Sequence, residues 1–99
     1  MKSKWKVSIE KITETINTRV FEVVVSDDGK KHLFRVEVDK DYSNILFGKE
    51  IPNLLLVQQS FIFLLEHEPV TSILRDFNLK EIQSYFGDYE ETMKKFFLS

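Results

Sequence analysis

The first forty residues alternate between apolar and polar positions. Trp5, Val7 and Ile9 occupy every second position, with Lys4, Lys6, Ser8 and Glu10 between them. Phe21, Val23 and Val25 repeat the pattern, as do Phe34, Val36 and Val38. Period-two spacing puts each apolar set on one face of a strand. Asp28-Gly29, between the second and third sets, is a two-residue hairpin signal, because a type I′ turn needs positive φ at both central positions. Pairing Asp27 with Lys30 sets Val25 against His32, Val23 against Phe34 and Phe21 against Val36; on the opposite face Glu22 meets Arg35 and Val24 meets Leu33. A slip of one residue would put Glu22 against Phe34 and split the apolar column. The first strand, about Lys4 to Thr13, is expected to join the second antiparallel through the polar link Glu14 to Thr18. A three-stranded meander results, with one apolar face in need of a cover.

The second half supplies that cover. Residues Asn53 to Glu68 read NLLLVQQSFIFLLEHE, in which nine of sixteen residues are Leu, Val, Ile or Phe. That is too apolar for a surface helix and shorter than the ~20 apolar residues that cross a membrane. The spacing predicts a helix over Pro52–Glu68, buried on more than one side, with Pro52 in its first turn and Pro69 ending it. Its main stripe is Leu54, Leu55, Val57, Phe61, Ile62, Leu64 and Leu65. Leu56 and Phe63 fall on the other side, among Gln59, Ser60, Glu66 and His67. Before it, Asp39 to Phe47 reads as a short helical segment stopped at Gly48. After it, short helices are predicted over Ser72–Phe77, from the capping box Asn78…Glu81 to Phe86, and from the box Asp88…Glu91 onward. Glu90–Lys94 and Glu91–Lys95 are expected as i,i+4 ion pairs, and Phe96-Phe97-Leu98 is expected to dock on the chain or on a second copy.

Composition adds constraints. The chain has 99 residues, 42% hydrophobic and 30% charged, with nine Phe, three Gly, two Pro and no Cys. One domain over residues 1–99 is expected, its small core enlarged by aromatic area. Disulfides and thiolate metal sites are excluded. The start MKSKWKVSIEKI lacks the apolar run of a signal peptide, so a cytoplasmic protein is expected. The net charge of −2 is unevenly spread: residues 1–50 hold ten Lys/Arg and nine Asp/Glu, residues 51–99 four and seven. The helical half is the acidic half, which argues against a DNA-reading helix.

No motif selects a chemistry. His67 lies between Glu66 and Glu68, but adjacent helical residues point about 100° apart and cannot converge on one ion. The helix C-terminal dipole is the simpler account of it. The other histidine, His32, sits beside the hairpin turn. Asp27-Asp28-Gly29 lacks the further oxygen ligands of an EF-hand loop. Ser72 to Phe86 superficially resembles a helix-turn-helix, yet the would-be reading helix shows Lys80, Glu81, Gln83 and Ser84 and no Arg. A helical hairpin packed over the sheet is preferred. Lys2, Lys4 and Lys6 around Trp5 could contact single-stranded nucleic acid, although alternate lysines also blunt an exposed sheet edge. No phosphate loop or Gly-x-Ser-x-Gly setting occurs.

The stretch Ser60-Phe61-Ile62-Phe63-Leu64-Leu65-Glu66-His67-Glu68-Pro69, then Ser72-Ile73-Leu74-Arg75, Phe77, Ile82, Tyr85-Phe86 and Tyr89-Glu90, is similar to a family of short uncharacterised prokaryotic proteins. With Phe34-Arg35-Val36-Glu37-Val38 the resemblance covers about two thirds of the chain. That family pairs a strand-rich start with a run of the form SFxFLLExEPxxSILxxFxLxxIxxYFxxYE. Here Gly87-Asp88 stands where Pro-Glu is common. The resemblance implies a fold and no activity.

The architecture expected is α+β: a three-stranded antiparallel meander packed on a central buried helix, followed by two or three short C-terminal helices. The function expected is a small cytoplasmic binding or protein-interaction module that forms a homodimer, with surplus apolar surface on Leu56, Phe63, Phe96 and Phe97. One alternative is a weak nucleic-acid binder using Lys2, Lys4, Trp5 and Lys6; another is a small carboxylate enzyme, which needs a deep polar pocket. No cofactor, metal or membrane partner is expected.

Overall fold

The computed structural model describes residues 5–99. Strands β1 (Trp5–Glu14), β2 (Thr18–Asp27) and β3 (Lys30–Asp39) form the antiparallel meander. Every pair expected across the second hairpin is present, from Asp27 opposite Lys30 to Phe21 opposite Val36. The turn explains the fidelity: Asp28 has φ 53° and Gly29 φ 87°, the two positive angles that a type I′ turn requires. Between β1 and β2 the register shifts at Ile9/Lys11, which leaves Glu10 as a bulge. The bulge returns Ile12 to the apolar face, opposite Phe21.

Helix α1 (Tyr42–Phe47) ends at Gly48, whose left-handed φ of 72° lets its N–H bond Asn44 O. Helix α2 (Asn53–His67) then runs across the sheet. Arg19 on β2 donates to Asn53 Oδ1 at 2.7 Å, fixing the start of α2 over the meander. Phe61 meets Phe34 of β3 edge-on at 5.2 Å between ring centres. The sheet's Phe21, Val23, Val25, Phe34, Val36 and Val38 join Leu56, Val57, Phe61 and Leu64 in one continuous core.

Two expectations for the next segment are corrected. Ser72–Phe77 is not a helix, and Ser72–Phe86 is not a helical hairpin. A 3₁₀ turn at Val70–Ser72 leads instead to a short strand, β4 (Asp76–Asn78), parallel to β3. Arg35 N donates to Arg75 O at 2.7 Å, and Arg75 answers by donating to Leu33 O at 3.1 Å while its guanidinium lies over the Phe34 ring. This backbone bond, together with the guanidinium of Arg75 on Leu33 O and the Phe34 ring, outbids a weak helical period that has Pro69 just before it. The meander thus becomes a four-stranded sheet in the order β1-β2-β3-β4. Arg35, expected to pair with the facing Glu22, reaches Asp76 on the new strand at 3.2 Å.

A 3₁₀ turn at Leu79–Glu81 runs into α3 (Ile82–Tyr85), and α4 (Tyr89–Leu98) follows. Asn78 caps as expected, accepting from Lys80 N. Asp88 makes no side-chain cap; Gln83 accepts from Glu90 N at 2.8 Å in its place and donates to Gly87 O at 2.6 Å, so one amide locks α3 to α4. The i,i+4 pairs expected on α4 are not made, and Glu90 turns inward to Tyr42 Oη at 3.3 Å. Phe63 packs against Phe86 and Tyr89, so the later helices cover the second side of α2.

Candidate functional site

The buried side of α2 differs from the expected stripe. Leu56 and Phe63 are 0% and 3% exposed, whereas Leu54, Leu55 and Ile62 are 40%, 47% and 36% exposed. Two of the four residues assigned to an interaction surface, Leu56 and Phe63, are therefore core residues. Phe61 packs on Phe34 of β3 and Phe77 of β4 while Phe63 packs on Phe86 and Tyr89, and that clamp leaves Leu55 and Ile62 facing outward. Ser60, polar by type, belongs to the buried side: it is fully buried and bonds Tyr89 Oη at 2.6 Å.

Leu55 and Ile62 form one wall of an open groove of about 420 Å³. Gln58 and Gln59 continue that wall, Trp5, Lys6 and Val7 of β1 make the opposite one, and Phe96 and Phe97 close one end. The fold thus brings together Trp5 and Lys6, singled out as a nucleic-acid surface, and Phe96 and Phe97, singled out as a protein surface. Phe96 is 56% exposed, while Phe97 is half-buried against Phe47, with ring centres 5.6 Å apart. Lys2 and Lys4 lie outside the described residues. Leu55, Ile62 and the two glutamines escaped notice because convergence of a strand, a mid-chain helix and a C-terminal helix is a tertiary property; the one available signal was a helix more apolar than a single buried face needs.

The groove is chemically plain. Lys6 is the one charged residue among those described along it. A groove that tracks a phosphate backbone uses several cations. What this surface offers is apolar side-chain contact, with glutamine amides to orient a polar group.

A second apolar hollow, about 310 Å³, lies between α2 and the β4–α3 segment, with Leu74 and Tyr85 exposed at its rim. A third, about 380 Å³, is lined by Ile16, Asn17, Asp39, Lys40 and Asp41. Its Asp39 accepts from Lys80 Nζ at 2.7 Å and Asn78 Nδ2 at 3.0 Å. The hydrogen bond from Lys80 holds the Asp39 carboxyl below the usual carboxylate range, against a weaker opposing effect of burial. Asp39 is therefore an ionised anchor for the end of β4 and poorly suited to give up a proton near neutrality.

His67 caps the far end of α2. Its Nδ1 sits 2.8 Å from Phe63 O, its ring stacks on Phe63 at 4.1 Å, and its Nε2 lies 3.9 Å from Asp88. Among the described residues no three His, Asp or Glu side chains gather as a metal site. Beneath α2, Ser60 Oγ bonds Tyr89 Oη at 2.6 Å, and nearby Tyr42 Oη donates to Glu90 Oε2 at 3.3 Å. Burial pushes both tyrosine hydroxyls well above their ordinary range. Among the described residues no helix is long and apolar enough to cross a membrane.

No family model matches the chain, and neither a curated protein nor a solved structure matches it.

Proposed function

We propose that this chain is a small cytoplasmic protein-interaction module that associates with itself, using the groove between β1, α2 and α4 as its contact surface. The observation that carries the reading is the convergence of exposed Leu55, Ile62 and Phe96 beside a sheet edge. Large apolar side chains from separate elements, gathered on one side of a small protein, are favourable to cover and costly to leave wet. An open strand beside such a groove adds backbone hydrogen bonds to side-chain pockets, the two parts of recognition by strand addition. The cysteine-free, mixed-charge composition fits a cytoplasmic setting.

Sedimentation velocity across a concentration series tests the proposal. The expected result is a shift from the 11.8 kDa monomer toward twice that mass, weakened by Phe96→Ser and Ile62→Ser with native circular dichroism retained. A monomer at every concentration would overturn it. Trp5 fluorescence titrated with single-stranded oligonucleotides at low salt is the companion measurement: a saturable change would favour the nucleic-acid alternative.

A further inference from the structure

The two edges of the sheet differ. β4 covers part of β3, whereas β1 has ten residues and, among the described residues, a neighbouring strand on one side alone. The hairpin turn decides which backbone groups face that open side. In a two-residue hairpin the closing pair, Asp27 and Lys30, exchanges both hydrogen bonds. Alternation then points Val24 and Ser26 at β1, where they meet Ser8 and Lys6. The N–H and C=O groups of Val7 and Ile9 consequently face away from β2. The bond from Lys40 N to Asn17 O, ten residues down the same ladder from the closing pair, follows the same parity.

The side chains on this edge are complementary to their own copy. Lys6, Ser8 and Glu10 share the uncovered face of the sheet, and the Ser8 hydroxyl donates to Glu10 Oε2. Val7 and Ile9 share the helix-covered face, packed against the core. Laid antiparallel on a second β1 and centred on Ser8, the strand sets Val7 opposite Ile9 of the second copy and Lys6 opposite Glu10 of the second copy, twice each by symmetry. Val7 and Ile9 are then the hydrogen-bonded pair and Ser8 faces Ser8, which agrees with the parity derived above. A shift of one residue sets Val7 against Glu10, and a shift of two separates Lys6 from Glu10. The bulge at Glu10 ends the run that can pair.

We infer that this chain forms a two-fold dimer by antiparallel pairing of β1 with β1 of a second copy over residues 6–10, centred on Ser8. The inference rests on the self-association proposed above and names its interface. The axis passes perpendicular to the sheet, so both helical layers fall on the same side and the sheet becomes eight-stranded. The two grooves meet across the seam, and Leu55, Ile62 and Phe96 of each copy cover those of the other. Such an interface is self-complementary and closed, so it ends at two copies. The edge lysine, which discourages pairing with arbitrary strands, finds an opposite charge in this one register; the ion pairs choose the register more than they supply affinity.

The chain has no cysteine, so Ser8→Cys is a clean probe. A facing non-hydrogen-bonded pair brings Cα atoms to about 4.5 Å, within disulfide reach. Mild oxidation is expected to convert Ser8→Cys to a disulfide-linked dimer, while a Ser84→Cys control on α3 stays monomeric. Val7→Pro removes an N–H aimed at the open edge, which a strand edge tolerates; it is expected to keep native circular dichroism and lose the dimer. Lys6→Glu is expected to raise the dimer dissociation constant about tenfold through the loss of two exposed ion pairs and the repulsion that replaces them, and Lys6→Glu with Glu10→Lys to restore it. If the parent chain sediments as a dimer but Ser8→Cys fails to cross-link and Val7→Pro stays dimeric, this interface is wrong and self-association stands. If the parent is monomeric throughout, both fall.

Discussion

Replacing Tyr89 by Phe deletes a single oxygen from beneath α2, and the structure says which neighbour suffers. Tyr89 Oη sits 2.6 Å from Ser60 Oγ, and Ser60 is 0% exposed. Its other side-chain contact is the Met93 sulfur at 4.0 Å, a weak acceptor. A buried hydroxyl left without its partner costs about 1–3 kcal/mol. In a chain of this length each kcal/mol lowers Tm by roughly 4–8 °C. Tyr89→Phe is therefore expected to lower Tm by about 5–20 °C. Ser60→Ala is expected to cost about 1–3 kcal/mol as well, because it leaves the buried Tyr89 hydroxyl without that partner. Removing both hydroxyls leaves neither orphaned, so the double variant should cost less than the sum of the singles, with a coupling of about 0.5–3 kcal/mol. Urea unfolding followed by circular dichroism measures all four corners of the cycle, provided the m-values agree. Strict additivity, or a Tyr89→Phe variant as stable as the parent, would refute the account of a coupled Ser60–Tyr89 pair.

The two buried tyrosines set an alkaline limit. Burial raises Tyr42 and Tyr89 above the ordinary value of 10.0, so below that pH both states hold their protons, and above it the unfolded chain releases protons that the native chain keeps. Their contribution should fall by about 1.4 kcal/mol per pH unit for each tyrosine, and Tyr89→Phe should halve the tyrosine part of that slope in urea titrations between pH 9 and about 11.5; an unchanged slope would contradict it. Gly29→Ala meets no atom within 4 Å, so its cost is backbone alone, at φ 87°, and should be roughly 1–2 kcal/mol by urea unfolding. Phe61→Ala should cost about 3–5 kcal/mol, since Phe61 is wholly buried between Phe34 and Phe77, whereas monomeric Phe96→Ala should stay within about 0.5 kcal/mol of the parent in thermal melts.

Local chemistry made the meander readable. A turn whose two residues are chosen for positive φ, flanked by period-two runs, leaves one register that keeps Phe21, Val23 and Val25 together. The sequence also marked Gly48, Pro52 and Pro69 as the punctuation around α1 and α2. β4 was hidden for the opposite reason. Asp76, Phe77 and Asn78 are three residues whose strand geometry comes from Arg35 and Val36 about forty positions earlier, and their own neighbours look helical. The orientation of α2 was hidden because a helix apolar all round carries little information about which side faces which partner. The groove follows from that orientation, so its residues could be suspected singly but not assembled.

Between β3 and β4 the chain leaves the sheet, builds α1 and α2, and comes back parallel to the strand it left. The hairpin of β2 and β3 can zip from a two-residue turn, while β4 must wait for a long closure to be completed. Its three pairs are also the fewest in the sheet. Assembly and disassembly should therefore run in a set order: amides of β4 exchange with solvent while those of the hairpin stay protected, and the last stitch made is the first one undone.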